Sequence, residues 1–190
     1  MLEVTSQEYY EEFLSEIEKM PQKNLAVELL NRLINDEIKS KFRTNIVKQK
    51  KFSDLLQAAL NKYENRSIEA SQVIEELIAM AKQFKDDLDK AEEMNLNNSE
   101  KSFYDALSNN ESARELMKDE ILMEMSREIA EQLRKDITID WSVKISVRAK
   151  IRRKIKTLLR RYKYPPDQAD SAVELVLLQA EQISEELVAS

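Results

Sequence analysis

Few residues of this chain have the types and spacing for chemistry. "NDEIKSK" places Asp36, Glu37 and Lys39 in the acid-x-lysine order of a metal-dependent nuclease. Such sites hang their residues on paired strands with another acid well upstream, and the apolar spacing around these three is helical. "DEIL" (Asp119 to Leu122) has the look of a helicase magnesium-binding acid pair, but no buried strand precedes it and no phosphate-binding loop accompanies it. The adjacent pairs Glu75-Glu76 and Asp86-Asp87 lie on helical stretches, where neighbours diverge by about 100° and do not share one proton or one metal easily. No catalytic residue and no metal ligand is assigned.

What remains is charge. Between Trp141 and Pro166 stand ten Lys or Arg and no Asp or Glu, in a chain whose net charge is −6. At about 100° per residue, Val147, Ile151, Ile155, Leu158, Leu159 and Tyr162 fall within about 120° of one another, an apolar stripe of ordinary width. Lys150, Arg152, Arg153, Lys154, Lys156, Arg160 and Arg161 spread around the remainder. The pattern predicts a helix docked by one side and basic on the others, about 33 Å long from a cap at Asp140 to the stop at Pro165-Pro166. Arg148 falls inside the apolar arc, so a partly buried guanidinium is expected there, paired with Asp140 or an acid from another helix.

Three uses fit such a block: pairing with the chain's own acids or with solvent, attraction of an acidic protein partner, or contact with a nucleic-acid backbone. No stacking aromatics and no helix-turn-helix pattern accompany it, so any DNA contact would be to phosphates without sequence reading. A second basic run, Lys39, Lys41, Arg43, Lys48, Lys50 and Lys51, reads as an exposed helix face. Met117, Met123 and Met125 read as core filler.

The elements that must position these residues are helices. The 190 residues include no Gly, no Cys and no His. Lack of Gly removes phosphate-cradling loops and dinucleotide fingerprints, and leaves few tight turns or left-handed helix caps to be expected. Lack of Cys and His removes zinc cages, thiol nucleophiles and imidazole acid–base groups. A chain free of disulfides fits a cytoplasmic setting. No apolar run reaches the ~20 residues of a membrane span.

Apolar periodicity predicts an all-α bundle of seven or eight helices. Ser6 or Thr5 caps the first, which carries Tyr9, Phe13, Leu14 and Ile17. Asn24 caps the second, with Leu25, Leu29, Leu30, Leu33 and Ile34 at helical spacing. A third starts at Phe42. Val73 to Phe84 marks a long fourth. "NLNNSEKS", with Ser99 as cap, divides an N-terminal sub-bundle (1–94) from a C-terminal one (95–190) that holds the basic helix. One or two helices run from Leu116 to Leu133. The last opens at Pro166 or Asp167 and turns Ala172, Val173, Val176, Ala180, Ile183 and Leu187 inward.

"KNLAVELLNRLINDEIKSKFRTNIVKQKKFSDLLQAALNKYENRSI", "FYDALSNNESARELM" and "ITIDWSVKISVRAKIRRKIKTLLRRYKYPPD" occur here in order. Together they resemble the C-terminal helical region of type I restriction enzyme R subunits, from about Glu8 to Gln182. The resemblance implies a fragment of a large motor and nuclease, a type I site-specific deoxyribonuclease with ATP-driven DNA translocation. ATP and Mg would then belong to domains outside this chain, and no cofactor to this part. It also implies partners: the modification (methyltransferase) and specificity subunits, the R subunit's own motor domains, and the duplex DNA backbone. No family active-site motif occurs in these residues. The resemblance therefore implies a non-catalytic domain that docks the motor onto the methyltransferase core, or else a DNA-backbone clamp that supports translocation.

Overall fold

The computed structural model describes residues 6–138, 141 and 143–184, with side chains from 10 onward. Among them stand nine helices and no strand: α1 (Ser6–Lys19), α2 (Lys23–Lys41), α3 (Ile46–Glu64), α4 (Ala70–Glu93), α5 (Asn98–Ser108), α6 (Glu111–Leu116), α7 (Asp119–Asp136), α8 (Ile145–Arg161) and α9 (Ala169–Gln182). The six-residue α6 is one helix more than the sequence pattern predicts. Its start is set by Asn110, whose side chain accepts from the Ser112 N–H at 3.0 Å.

Local chemistry explains the other shifted boundaries. Asn97, not Ser99, caps α5, because Asn97 and Glu100 form a reciprocal capping box: Asn97 accepts from the Glu100 N–H at 3.0 Å and Glu100 accepts from the Asn97 N–H at 2.9 Å. Helix α2 starts at Lys23, and Asn24 is spent instead on accepting the Tyr63 hydroxyl at 2.5 Å. Phe42 ends α2 rather than opening α3. The basic helix α8 starts at Ile145, so its 17 residues span about 25 Å. Trp141 is fully buried and belongs to a turn, with Trp141 N–H on Thr138 and Lys144 N–H on Trp141. The expected cap Asp140 lies outside the described residues, as does Leu187. Helix α9 starts at Ala169, and Asp167 accepts the Ser112 hydroxyl at 3.1 Å.

Left-handed caps occur without glycine. Arg66, Asn95 and Lys163 have φ of 55°, 51° and 56°. Arg66 and Lys163 close Schellman motifs: Ser67 N–H bonds Lys62 at 2.8 Å and Tyr164 N–H bonds Leu159 at 2.9 Å. Each side chain bears the Cβ penalty that glycine avoids.

The chain divides into two compact units, 1–42 with 49–89, and 43–48 with 90–190. The segment 43–48 departs from a division in the nineties, and polar bonds are the reason. Thr44 carbonyl accepts from Ser102 at 3.2 Å and from the Gln179 amide, Ile46 N–H donates to Gln179 at 3.0 Å, and Asn45 donates to Asp105 at 2.6 Å. Gln179 is wholly buried, and these bonds satisfy it.

The first unit is built on an apolar core from α1 to α4. Phe42, Phe52 and Phe84 form its centre, with ring centroids 4.6 to 5.5 Å apart. In α2 the buried row is Ala26, Leu30, Ile34 and Ile38, at strict i,i+4 spacing. Leu25 and Leu29 belong to the next row around and stay exposed at 45% and 37%.

The second unit is a four-helix arrangement with α6 as a connector. Helix α5 packs on α7 and α9, and α8 packs on the same two, so α8 lies diagonally across from α5. Its core includes Phe103, Leu107, Met125, Ile129, Trp141, Ile151, Ile155, Val173 and Leu177. Tyr164, just after α8, donates its hydroxyl to the Leu107 carbonyl at 2.7 Å. Met125 is buried, and Met117 packs against the same core.

Candidate binding surface on the basic helix

Helix α8 meets its neighbours on three arcs and solvent on the fourth. Ile151, Ile155, Leu158 and Leu159 are buried, with Val147 and Tyr162 packed at the margin, so the apolar stripe sits on the core. The α7 flank carries Lys150, Lys154 and Arg161. Lys150 reaches Asp136 at 3.0 Å, Lys154 pairs with the same carboxylate, and Arg161 pairs with Glu128. The α9 flank carries Arg148, Arg152 and Lys156, which pair with Glu181, Glu174 and Asp170, the last at 2.7 Å. On both flanks the partners run in opposite directions along the two helices, as antiparallel neighbours require.

Of the three uses open to the block, pairing with the chain's own acids takes five of the seven named residues: Lys150, Arg152, Lys154, Lys156 and Arg161 have carboxylates of this chain. Arg148 has a side chain 29% exposed, and its partner is Glu181 on α9. The alternative partner, Asp140, lies outside the described residues.

The pairs set the local electrostatics. Burial pushes the Asp136 carboxyl up, but hydrogen bonds from Lys154 and Lys150 outweigh it and hold the group below the usual carboxylate range. Burial likewise raises Glu128, and hydrogen bonds from Arg161 and Tyr162 bring it below its ordinary value. Asp170 is lowered by its hydrogen bond from Lys156. Tyr162, partly buried and donating to Glu128 at 2.9 Å, is pushed up to about 12.

Arg153 and Arg160 are different. Both are exposed: Arg153 donates to the Ala149 carbonyl at 3.4 Å and Arg160 acts on Asp170 through its charge, but among the described residues no carboxylate stands at ion-pair distance from either. Seven residues apart, they project about 20° from each other, opposite the core stripe, and stand about 10 Å apart along the axis. Between α7 and α8 lies an open groove of about 570 Å³, lined by Gln132, Lys150, Arg153, Lys154, Thr157, Leu158 and Arg161. It can receive an anion: four cations, a hydroxyl and an amide line it, against the two acids Asp136 and Glu128 that pair with three of those cations.

The second basic run is dispersed. Lys50 pairs with Asp54 at 2.9 Å, Lys51 with Asp87 at 3.4 Å, and Lys48 lies 3.9 Å from Asp105, while Lys39 and Lys41 are exposed. Asp36 pairs with Arg32 across one helical turn, and no group of three metal-ligating acids comes together among the described residues. No helix described is long and apolar enough to cross a membrane.

The acids that hold α8 were the residues a reading of that helix alone misses. Their signal was in the sequence: Asp170, Glu174 and Glu181 fall on one line of α9 at spacings of four and seven, matching Arg148, Arg152 and Lys156 on α8.

Comparison with known proteins bears on what this surface serves. The chain is 44% identical over 177 residues to the type I restriction enzyme HindI endonuclease subunit of Haemophilus influenzae, a match covering 93% of this chain and 17% of that protein. It is 35% identical over 97 residues to the putative type I restriction enzyme MjaIXP endonuclease subunit of Methanocaldococcus jannaschii, covering 51% of this chain and 9% of that one. The chain thus spans under a fifth of the length of these relatives. No solved structure matches it. The family model for the C-terminal part of type I restriction enzyme HindI endonuclease subunit-like proteins matches residues 8–186, and the chain belongs to that family.

Proposed function

We propose that this chain is a non-catalytic assembly domain of a type I restriction endonuclease (R) subunit, docking the ATP-dependent DNA translocase and nuclease onto the methyltransferase core in the cytoplasm. Family membership over 8–186 supports the parent. The observation that carries the docking role is the solvent line of α8, where, among the described residues, Arg153 and Arg160 have no carboxylate at ion-pair distance on a helix whose other polar flanks are occupied. Outward-facing cations on a rigid helix attract and orient an acidic surface. The partners are the modification and specificity subunits; ATP and Mg act on domains outside this chain.

Mixing the purified chain with purified modification subunit, alone and with the specificity subunit, tests the role by size-exclusion chromatography. Co-elution at physiological salt is expected. Separate elution at both low and physiological salt contradicts it.

The α7–α8 groove favours a second reading, a clamp on the DNA backbone. Its cations suit phosphates. This reading predicts sequence-independent duplex binding whose log affinity falls with log salt by about 0.9 per phosphate contacted. A flat salt response removes it.

A further inference from the structure

The geometry points to the kind of surface that α8 receives: a helix of the modification subunit carrying two carboxylates two turns apart, seated on Arg153 and Arg160. This rests on the docking role above and specifies its chemistry.

Three observations carry it. First, the solvent line of α8 reads Ser146, Ala149, Arg153, Thr157 and Arg160. The small residues let a second helix axis approach to roughly 8–10 Å, while the arginines reach past it. Second, the protein already shows what fits two cations seven residues apart on α8: Lys154 and Arg161 engage Asp136 and Glu128 of the antiparallel α7, acids about two turns apart. A partner helix with acids at i and i+7 presents them about 10 Å apart, the rise between Arg153 and Arg160. Third, apolar side chains stand exposed at the N-terminal end of the same helix. Ile145 is 86% exposed and Val143 78%, and the pairing of Arg148 with Glu181 brings that end beside the part of α9 where Leu178 is 50% exposed. Apolar anchors beside outward-facing arginines suit a protein interface.

A duplex fits less well. Phosphates have no use for Ile145, Val143 and Leu178. Carboxylates also bracket the arginine line on both sides, Asp136 and Glu128 on α7 and Asp170 and Glu174 on α9. A rod of uniform negative charge would meet them, whereas a helix contributing two central acids would not.

The test compares affinities of the 190-residue chain for the purified modification subunit by titration calorimetry. Two charge-reversed forms of equal charge change are used: Arg153→Glu with Arg160→Glu, and Lys39→Glu with Lys41→Glu on the exposed face of α2. The first should weaken binding at least tenfold and the second less than twofold. The neutral pair Arg153→Gln with Arg160→Gln should weaken it at least threefold. Lysines placed at one surface pair of acids seven residues apart on a helix of the modification subunit should restore binding to the Glu variant. Equal losses in the two reversed forms, or none, overturn the proposal while the docking role stands. If the unaltered chain does not bind the modification subunit, both fall. If the Arg153/Arg160 reversal spares assembly but removes binding to a 30-base-pair duplex, the line is a phosphate site and the proposal is overturned.

Discussion

The two units use different means for the same end. In the first, helices are joined by apolar contact, with Phe42, Phe52 and Phe84 at the centre. Its ion pairs are mostly exposed links, such as Lys50–Asp54 and Lys62–Glu76 at 2.9 and 3.1 Å. In the second, α8 rests on the core by a four-residue apolar stripe and is flanked on both sides by acid–cation rows. Exposed pairs contribute little to stability, so the rows matter more for register than for energy. They fix how α8 is rotated, and that rotation decides which two arginines face outward. A dense run of cations is therefore not one object: six of its members pair with acids of the bundle, while Arg153 and Arg160 face outward from α8.

Core truncation should affect both units most. Phe52→Ala should cost about 3–5 kcal/mol and Ile155→Ala about 2–5 kcal/mol, read from urea unfolding. The comparison breaks if Ile155→Ala is nearly silent, because α8 would then be held by charge alone.

Next in size is Asp136→Asn. Its side chain is only 11% exposed and it serves two lysines, which are themselves about half exposed. Discounted for that exposure, the loss should be about 1–2 kcal/mol. Asp54→Asn in the first unit, at an exposed i,i+4 pair, should cost no more than about 0.5 kcal/mol.

Acid should reveal the same asymmetry. Asp136, Glu128 and Asp170 have folded pKa values below their ordinary 3.8, 4.5 and 3.8. Their stabilisation is thus fully present above those ordinary values and is lost as pH falls through the folded ones, where the unfolded chain binds more protons. Melting temperature should be flat from about pH 7 to 5 and fall below about pH 4. The fall should be shallower in Asp136→Asn.

The smallest effect is a gain. Glycine at Arg66, in the first unit, and at Lys163, in the second, should each stabilise by up to about 1 kcal/mol by removing a left-handed Cβ clash.

These contrasts also mark what could be read in the residues alone. The all-α class and the α8 stripe follow from 100° arithmetic on strongly periodic segments. So does most of the inward face of α9. Helix starts did not follow, because "NLNNSEKS" offers several capping side chains and only the reciprocal Asn97–Glu100 geometry chooses among them. Segment 43–48 was illegible for another reason: its partners, Ser102, Asp105 and Gln179, are 58 to 135 residues away. The pairing of α8 was hidden by reading one helix at a time. Charges on α8 have meaning only beside the acid rows of α7 and α9, and those rows are visible once the helices are known to be antiparallel neighbours.

The central claim is a division of labour along α8, and paired thermal melts test it most directly. Arg152→Glu with Lys154→Glu, which sets new acids beside Glu174 and Asp136, should lower the melting temperature by several degrees, at ~2–4 °C per kcal/mol for a chain of this size. Arg153→Glu with Arg160→Glu, an equal change of charge on the same helix, should leave it within about 1 °C. Equal shifts in the two variants would contradict the account.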